Sequence, residues 1–356
     1  MKKRNFLVIM IIVGLLVAAP AFGQVSLSEI DDAFAGFADD VANSLAMNST
    51  IGLQWSDAYI GQLLGVPPHF GAGVAVGATT IPIDAMQTAL DALAGGATGA
   101  GDLSAFALAG GIPLPGYVLD ARIGGFLLPF DIGVKAGYLE PTEIPGLGAQ
   151  VDYLLVGADV RFSIIKGLLL PNLSVGVGVN YLSGGISLPG FFSAMDLANF
   201  DVTGAPAGPY TVSLTDPSLD FSWQTTVIDV KAQVSKQILF ITPYAGIGAS
   251  YARSTAGGGF AGDIAVTDGT ATPVTGSDLQ DLQDAYDAMR NDDPDLPAID
   301  FTGSEGVSAS SSVPGWGLRV FAGTSLNLLL LKVDVGGMYN LLTGDLGANV
   351  GVRVQL

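Results

Sequence analysis

The chain has 356 residues, with 33 acidic side chains against 14 basic ones, a single histidine and no cysteine. So acidic a surface repels nucleic-acid phosphates, and that donor set rules out disulfide staples and the usual His/Cys zinc centres. Apolar residues make up 49% and charged residues only 13%, with 49 glycines and a mean hydropathy of +0.50. After the N-terminus, however, no charge-free apolar run reaches the length of a spanning helix, which excludes a helical membrane protein.

The chain begins with Met1-Lys2-Lys3-Arg4 and the apolar run FLVIMIIVGLLVAAPAF, then places Ala21 and Gly23 before Gln24. That is the pattern of a secretory signal peptide over 1–23. A retained anchor is the alternative, but the run is short for it. In residues 24–66, Ser28 is placed to cap a helix. Ile30, Phe34, Phe37, Val41 and Leu45 would line one face of it and Asp31, Asp32, Asp39 and Asp40 the other. A second short helix is expected from Ser56 and Asp57. The segment reads as a helical plug or periplasmic cap ahead of a barrel domain over 67–356, the alternative being a helix lying at the membrane interface.

Ten strand-like segments follow, near 69–81, 116–127, 129–140, 150–164, 170–184, 219–236, 238–253, 314–327, 328–342 and 344–356. The C-terminal LGANVGVRVQL is typical: Leu346, Ala348, Val350, Val352, Val354 and Leu356 alternate with Gly347, Asn349, Gly351, Arg353 and Gln355. Period-two alternation means a strand between unlike surroundings. Short connections near Leu128, Lys166, Gln237 and Leu328 alternate with longer ones over 82–115, 141–149, 185–218 and 254–313, and a brief one lies near Gly344. Outer-membrane barrels keep periplasmic turns short and let external loops grow. The expected fold is therefore all-β, a transmembrane antiparallel barrel of about ten strands. Glycine-rich pieces such as GGGFAGDIAV would raise the count toward fourteen. Tyr117, Tyr138, Tyr181, Tyr251, Trp316 and Tyr339 fall at external strand ends with lipid parity, as an interfacial girdle would. Trp223 and Tyr153 take inward parity, Trp223 unless a bulge near Thr225 and Thr226 resets the phase.

Seven bases share the inward parity: Arg122, Lys135, Arg161, Lys231, Arg319, Lys332 and Arg353. So do six acids: Asp120, Asp131, Asp152, Asp159, Asp229 and Asp334. Charges of both signs in a low-dielectric enclosure are expected to pair across the lumen. Such a ladder serves either as structure or as a solute pathway.

The short helices followed by PPHFGAGVAVGATTIPID resemble the opening of the FadL-like family of long-chain fatty-acid transporters. That resemblance implies an N-terminal hatch, and external-loop helices forming a hydrophobic capture groove. DAMQTALDAL (84–93) and SDLQDLQDAYDAMR (277–290) suit such helices, and LPGFFSAMDLANF (188–200) is greasy for a loop. The family's Asn-Pro-Ala turn is missing and ten strands fall short of its barrel. IGGFLLP (123–129) is the place for a kinked strand, with a plain tight turn as the alternative.

His69 is the only imidazole and is expected at the periplasmic rim, so no catalytic role, cofactor or metal is expected and the chain reads as a non-enzyme. Asp292, Asp293, Asp295 and Asp300 lack the Gly and closing Glu of a calcium loop. The expected partners are outer-membrane lipid and a hydrophobic small molecule. The expected activity is passive uptake of small hydrophobic molecules across the bacterial outer membrane. A general diffusion porin and a sealed structural or surface-display barrel stand as alternatives.

Overall fold

The computed structural model describes residues 41, 44–60, 69–82, 111–124, 129–143, 150–166, 170–189, 195–200, 209–292, 300–301 and 308–356. The expected signal peptide, Ile30, Phe34, Phe37, the helix over 84–93, Asp293 and Asp295 lie outside these residues. The strands are β1 (His69–Pro82), β2 (Gly111–Gly124), β3 (Phe130–Glu143), β4 (Gln150–Ile165), β5 (Asn172–Pro189), β6 (Met195–Phe200), β7 (Tyr210–Ser235), β8 (Ile241–Thr267), β9 (Ser308–Leu328), β10 (Leu331–Asn340) and β11 (Leu346–Gln355). Helix α1 spans Ser277–Asp292 in the connection between β8 and β9.

Neighbours in sequence pair antiparallel, β1 pairs with β11, and β5 pairs with β7, so ten strands close into a barrel. β6 stands outside the cylinder and adds only to the external end of β7. The greasy 188–200 stretch is thus partly this extra strand. Strands β7 and β8 are longer than their periodicity suggested. Their pairing continues from Ser218↔Ala261 to Thr211↔Thr267, with a register shift between Thr215 and Ser218. GGGFAGDIAV therefore extends β8 and adds no new pair. Helix α1 packs on this extension, where Leu282 and Tyr286 join Tyr210, Val212, Val266 and Phe301 in one buried cluster.

Alternation along the strands sorts the side chains. Val134, Leu119, Val230 and Val350 point outward, with Leu119 68% exposed, while Lys135, Asp120, Asp229 and Asn349 beside them are buried in the lumen. An unpaired backbone is costly in hydrocarbon, and a closed barrel with an apolar exterior pairs its strands along most of their length. No helix among the described residues is long and apolar enough to cross a membrane. The chain is a bacterial outer-membrane β-barrel whose core lies inside the cylinder. On this geometry Val350→Arg, midway along β11, lowers unfolding free energy in lipid vesicles by about 2–4 kcal/mol, while Leu342→Arg at the external rim costs about 0–1 kcal/mol.

Trp316 is 70% exposed and its ring lies 5.0 Å from that of Tyr251, on the outer face. Tyr117 departs from the girdle pattern: it is half-buried and stacks on the inward-facing Tyr153 at 5.4 Å. Trp223 packs against the inner cluster, and the β5–β7 register runs unbroken through Thr225 and Thr226, so no bulge resets its phase. His69 is 1% exposed and faces inward at the start of β1.

Candidate functional site

Residues 44–60 are bound to the inner wall. A helical turn over 44–48 leads into an irregular stretch, and the described residues 56–60 are not helical, so the helix expected from Ser56 and Asp57 does not begin there. Wall side chains take its place by holding the backbone. Lys135 donates to the carbonyls of Ser49 (2.6 Å) and Ile51 (2.7 Å), Arg161 to that of Asp57 (2.8 Å), and Gln233 to those of Trp55 (2.8 Å) and Ser56 (3.0 Å). The chain reverses at Gly52 and Leu53, with φ of 80° and 57°. A left-handed leucine is strained, and here the wall fixes it: Leu53 donates its N–H to Asp120 at 2.9 Å and accepts from Lys231 at 3.3 Å.

The wall charges form three groups. In the first, Arg122 bridges Asp131 and Asp159, Arg161 binds both oxygens of Asp131 at 2.9 and 3.0 Å, and Lys231 reaches Asp159 at 2.8 Å. In the second, Arg319 grips Asp229 with two bonds. In the third, Arg353 binds Asp334, and Asp57 of the inner segment accepts from Lys332 at 2.6 Å and Arg353 at 3.0 Å. Lys332 and Arg353 are direct cross-strand partners, and like charges placed so repel. Asp57 supplies the counter-charge that this wall pair lacks. Burial alone would raise the Asp57 carboxyl, but Lys332 and Arg353 outweigh it and hold the group below its ordinary 3.8.

Glycine makes this packing possible. Arg161 lies opposite Gly176, and Asp159 lies opposite Gly133 and Gly178. A Cβ on Gly133 would stand 2.6 Å from Asp159 and 2.7 Å from Arg122. The long side chains lie over neighbouring strands where no Cβ obstructs them. Trp55 completes the layer, its indole donating to Asp120 at 3.0 Å and its ring facing the guanidiniums of Arg353 (4.7 Å) and Arg122 (5.7 Å).

The sequence-marked inward positions thus meet around the inner segment, with one exception. Asp152 is half-buried and takes part in no ion pair among the described residues. Asp120, the cross-strand partner of Lys135, turns to the inner segment and does not pair with it. Above the charges an apolar cluster lies in the lumen, with Val41 and Leu45 buried against Leu114, Val118, Leu155 and Leu182, while Ser44 and Asn48 beside them donate to Asp345 and Thr79. Two cavities beside residues 50–55 measure about 10 and 20 Å³, room for roughly one water each. The residues that sequence reasoning missed are Trp55, Asp57 and Gln233, whose roles depend on contacts far apart in the chain.

The wall has one incomplete joint. β2 pairs with β3 only from Leu119↔Ala136 to Gly124↔Asp131, whereas its pairing with β1 continues to Gly111. Residues 111–118 and 137–143 therefore face each other without a ladder on the external half. Pro113 and Pro115 are two residues apart, so both missing N–H groups fall on the same edge of β2, the place where a sheet tolerates proline. The Tyr117 hydroxyl donates to the Tyr138 carbonyl across the gap. Of the stretch IGGFLLP, where a kink is expected, β2 stays paired through Gly124, and residues 125–128 lie outside the described residues.

No protein-family model matches the sequence, and no curated protein matches it. Among solved structures, the translocator domain of autotransporter NalP from Neisseria meningitidis aligns at 12% identity over 90% of this chain and 99% of that one, with a TM-score of 0.37. Outer membrane protease OmpT from Escherichia coli aligns at 8% identity over 83% and 100%, with a TM-score of 0.38. The Ralstonia pickettii toluene transporter TbuX aligns at 12% over 82% and 89%, with a TM-score of 0.22. Likenesses this distant concern barrel architecture and not activity. One expectation is corrected: a protease stands among the similar barrels, so the barrel fold does not by itself make this chain a non-enzyme.

Proposed function

We propose that this outer-membrane barrel admits small hydrophobic molecules, fatty acids among them, along a FadL-like route. In this reading residues 44–60 act as a plug that bars the periplasmic half of the lumen. The apolar layer above it receives the solute. The joint between β2 and β3 gives that layer a way through the wall. The observation that carries the reading is this joint, because Leu114 and Val118 of the apolar layer lie on its unpaired edge. In hydrocarbon an unpaired edge is costly, and a stretch left without ladder pairs there needs a use.

The natural chain has no cysteine, so Pro115→Cys with Glu140→Cys allows a clean bifunctional thiol cross-link over the gap. Uptake of a fluorescent fatty acid into proteoliposomes is expected to fall several-fold on cross-linking and to return when a cleavable linker is reduced. Uptake unaffected by the linker removes the lateral route. A sealed structural barrel is the second reading, favoured by the small room, about 10 and 20 Å³, in the cavities beside residues 50–55. It predicts no uptake in either state. A diffusion porin needs an open lumen, and steady large channels from the intact protein would be its mark.

A further inference from the structure

We propose that the lumen holds a monovalent anion of halide size beside Lys135, in the cavity enclosed by Lys135, Lys231, Arg319 and the inner segment at Thr50–Gln54. The cavity measures about 20 Å³ and is also lined by Asp159, Asp229 and Asn180. Lys135 is 5% exposed and Arg319 4% exposed, so neither head group is served by bulk water.

The charge around this cavity does not balance. Asp229 is taken by Arg319, and Asp159 is shared between Lys231 and Arg122. Lys135 has no carboxylate among the described residues. Its ammonium gives two of its three N–H bonds to the carbonyls of Ser49 and Ile51. The Arg319 Nε–H is buried without a partner. An excess positive charge, a lysine N–H still to be placed and an unused guanidinium N–H therefore meet at one void. Neutral water would satisfy a donor but leave the charge uncompensated in a low-dielectric interior, where an ammonium either gives up its proton or finds a counter-ion. A small anion meets both needs. A larger oxyanion does not fit the volume. The site belongs to the closed lumen, and its occupancy does not depend on the barrel carrying hydrophobic solutes.

The test uses the full chain crystallised from detergent with sodium bromide as the only halide. An anomalous difference peak is expected within hydrogen-bond distance of Lys135 Nζ and Arg319 Nε, and it is expected to vanish in Lys135→Met, which keeps the length of the side chain. Density at the site with no anomalous signal, meaning water only, overturns the proposal. So does a bromide peak that persists in Lys135→Met. The wild-type crystal alone decides the first point if the variant does not fold.

Discussion

Asp57→Ala is expected to open steady channels in planar bilayers at neutral pH, where the natural protein is expected to be silent. Asp57 is the only carboxylate that the described inner segment offers to the wall, and it stands between Lys332 and Arg353. These two cations face each other across β10 and β11, and of the wall acids only Asp334 binds one of them. Removing one member of a buried ion pair typically costs about 3–5 kcal/mol, because the remaining charge is stranded. Here the protein has an escape: if the inner segment withdraws, water enters and solvates both cations. Much of the lost energy should therefore appear as plug release, with the barrel still folded. The pH dependence has a defined sign. A carboxyl whose folded value lies below 3.8 contributes fully above 3.8 and loses its contribution as pH falls through the lower folded value. The natural protein should stay silent from neutral pH down to the ordinary carboxylate range and open only in stronger acid, while Asp57→Ala opens regardless. A variant silent at neutral pH, with its barrel intact by circular dichroism, would remove residues 44–60 from the role of plug.

Much of the barrel was readable from period-two alternation, because lipid and lumen impose opposite demands on adjacent residues. That pattern sorts Val350 from Arg353 and Val134 from Lys135 without any knowledge of partners. It weakens above the membrane, where both faces meet water or loops. The external ends of β7 and β8 were hidden for that reason: Gly257–Gly259 reads as a loop, yet it pairs with β7 on one side and β9 on the other, and the ladder resumes beyond the register shift at Asp216-Pro217, where α1 covers it. Contacts between residues far apart in sequence were not readable either. Parity places Asp120 and Lys135 on one face, and their direct opposition suggests an ion pair. The structure instead turns each toward the inner segment. Asp57 looked like a helix cap because local sequence carries no trace of two cations that lie 275 and 296 residues away.

The ion-pair ladder carries the other large expected effect, at Asp131. This carboxylate is fully buried, accepts from Arg122 and from both forks of Arg161, and takes the N–H of Ile60 at 3.3 Å. Asp131→Ala strands one guanidinium and weakens the hold on a second, so unfolding free energy in detergent should fall by about 3–5 kcal/mol. Asp131→Asn keeps acceptor capacity without the charge and should lose less. Asp152→Ala is the control, being half-buried with no ion pair among the described residues, and its cost should stay within about 0.5 kcal/mol. Pairing Asp131→Ala with Arg161→Met should recover part of the loss, because the second change removes a charge that the first left unmatched. The four measurements separate the two uses of the ladder. If Asp131→Ala and Asp152→Ala cost the same, the wall charges do not hold the barrel together, and their alignment along the lumen has to be explained by what passes there.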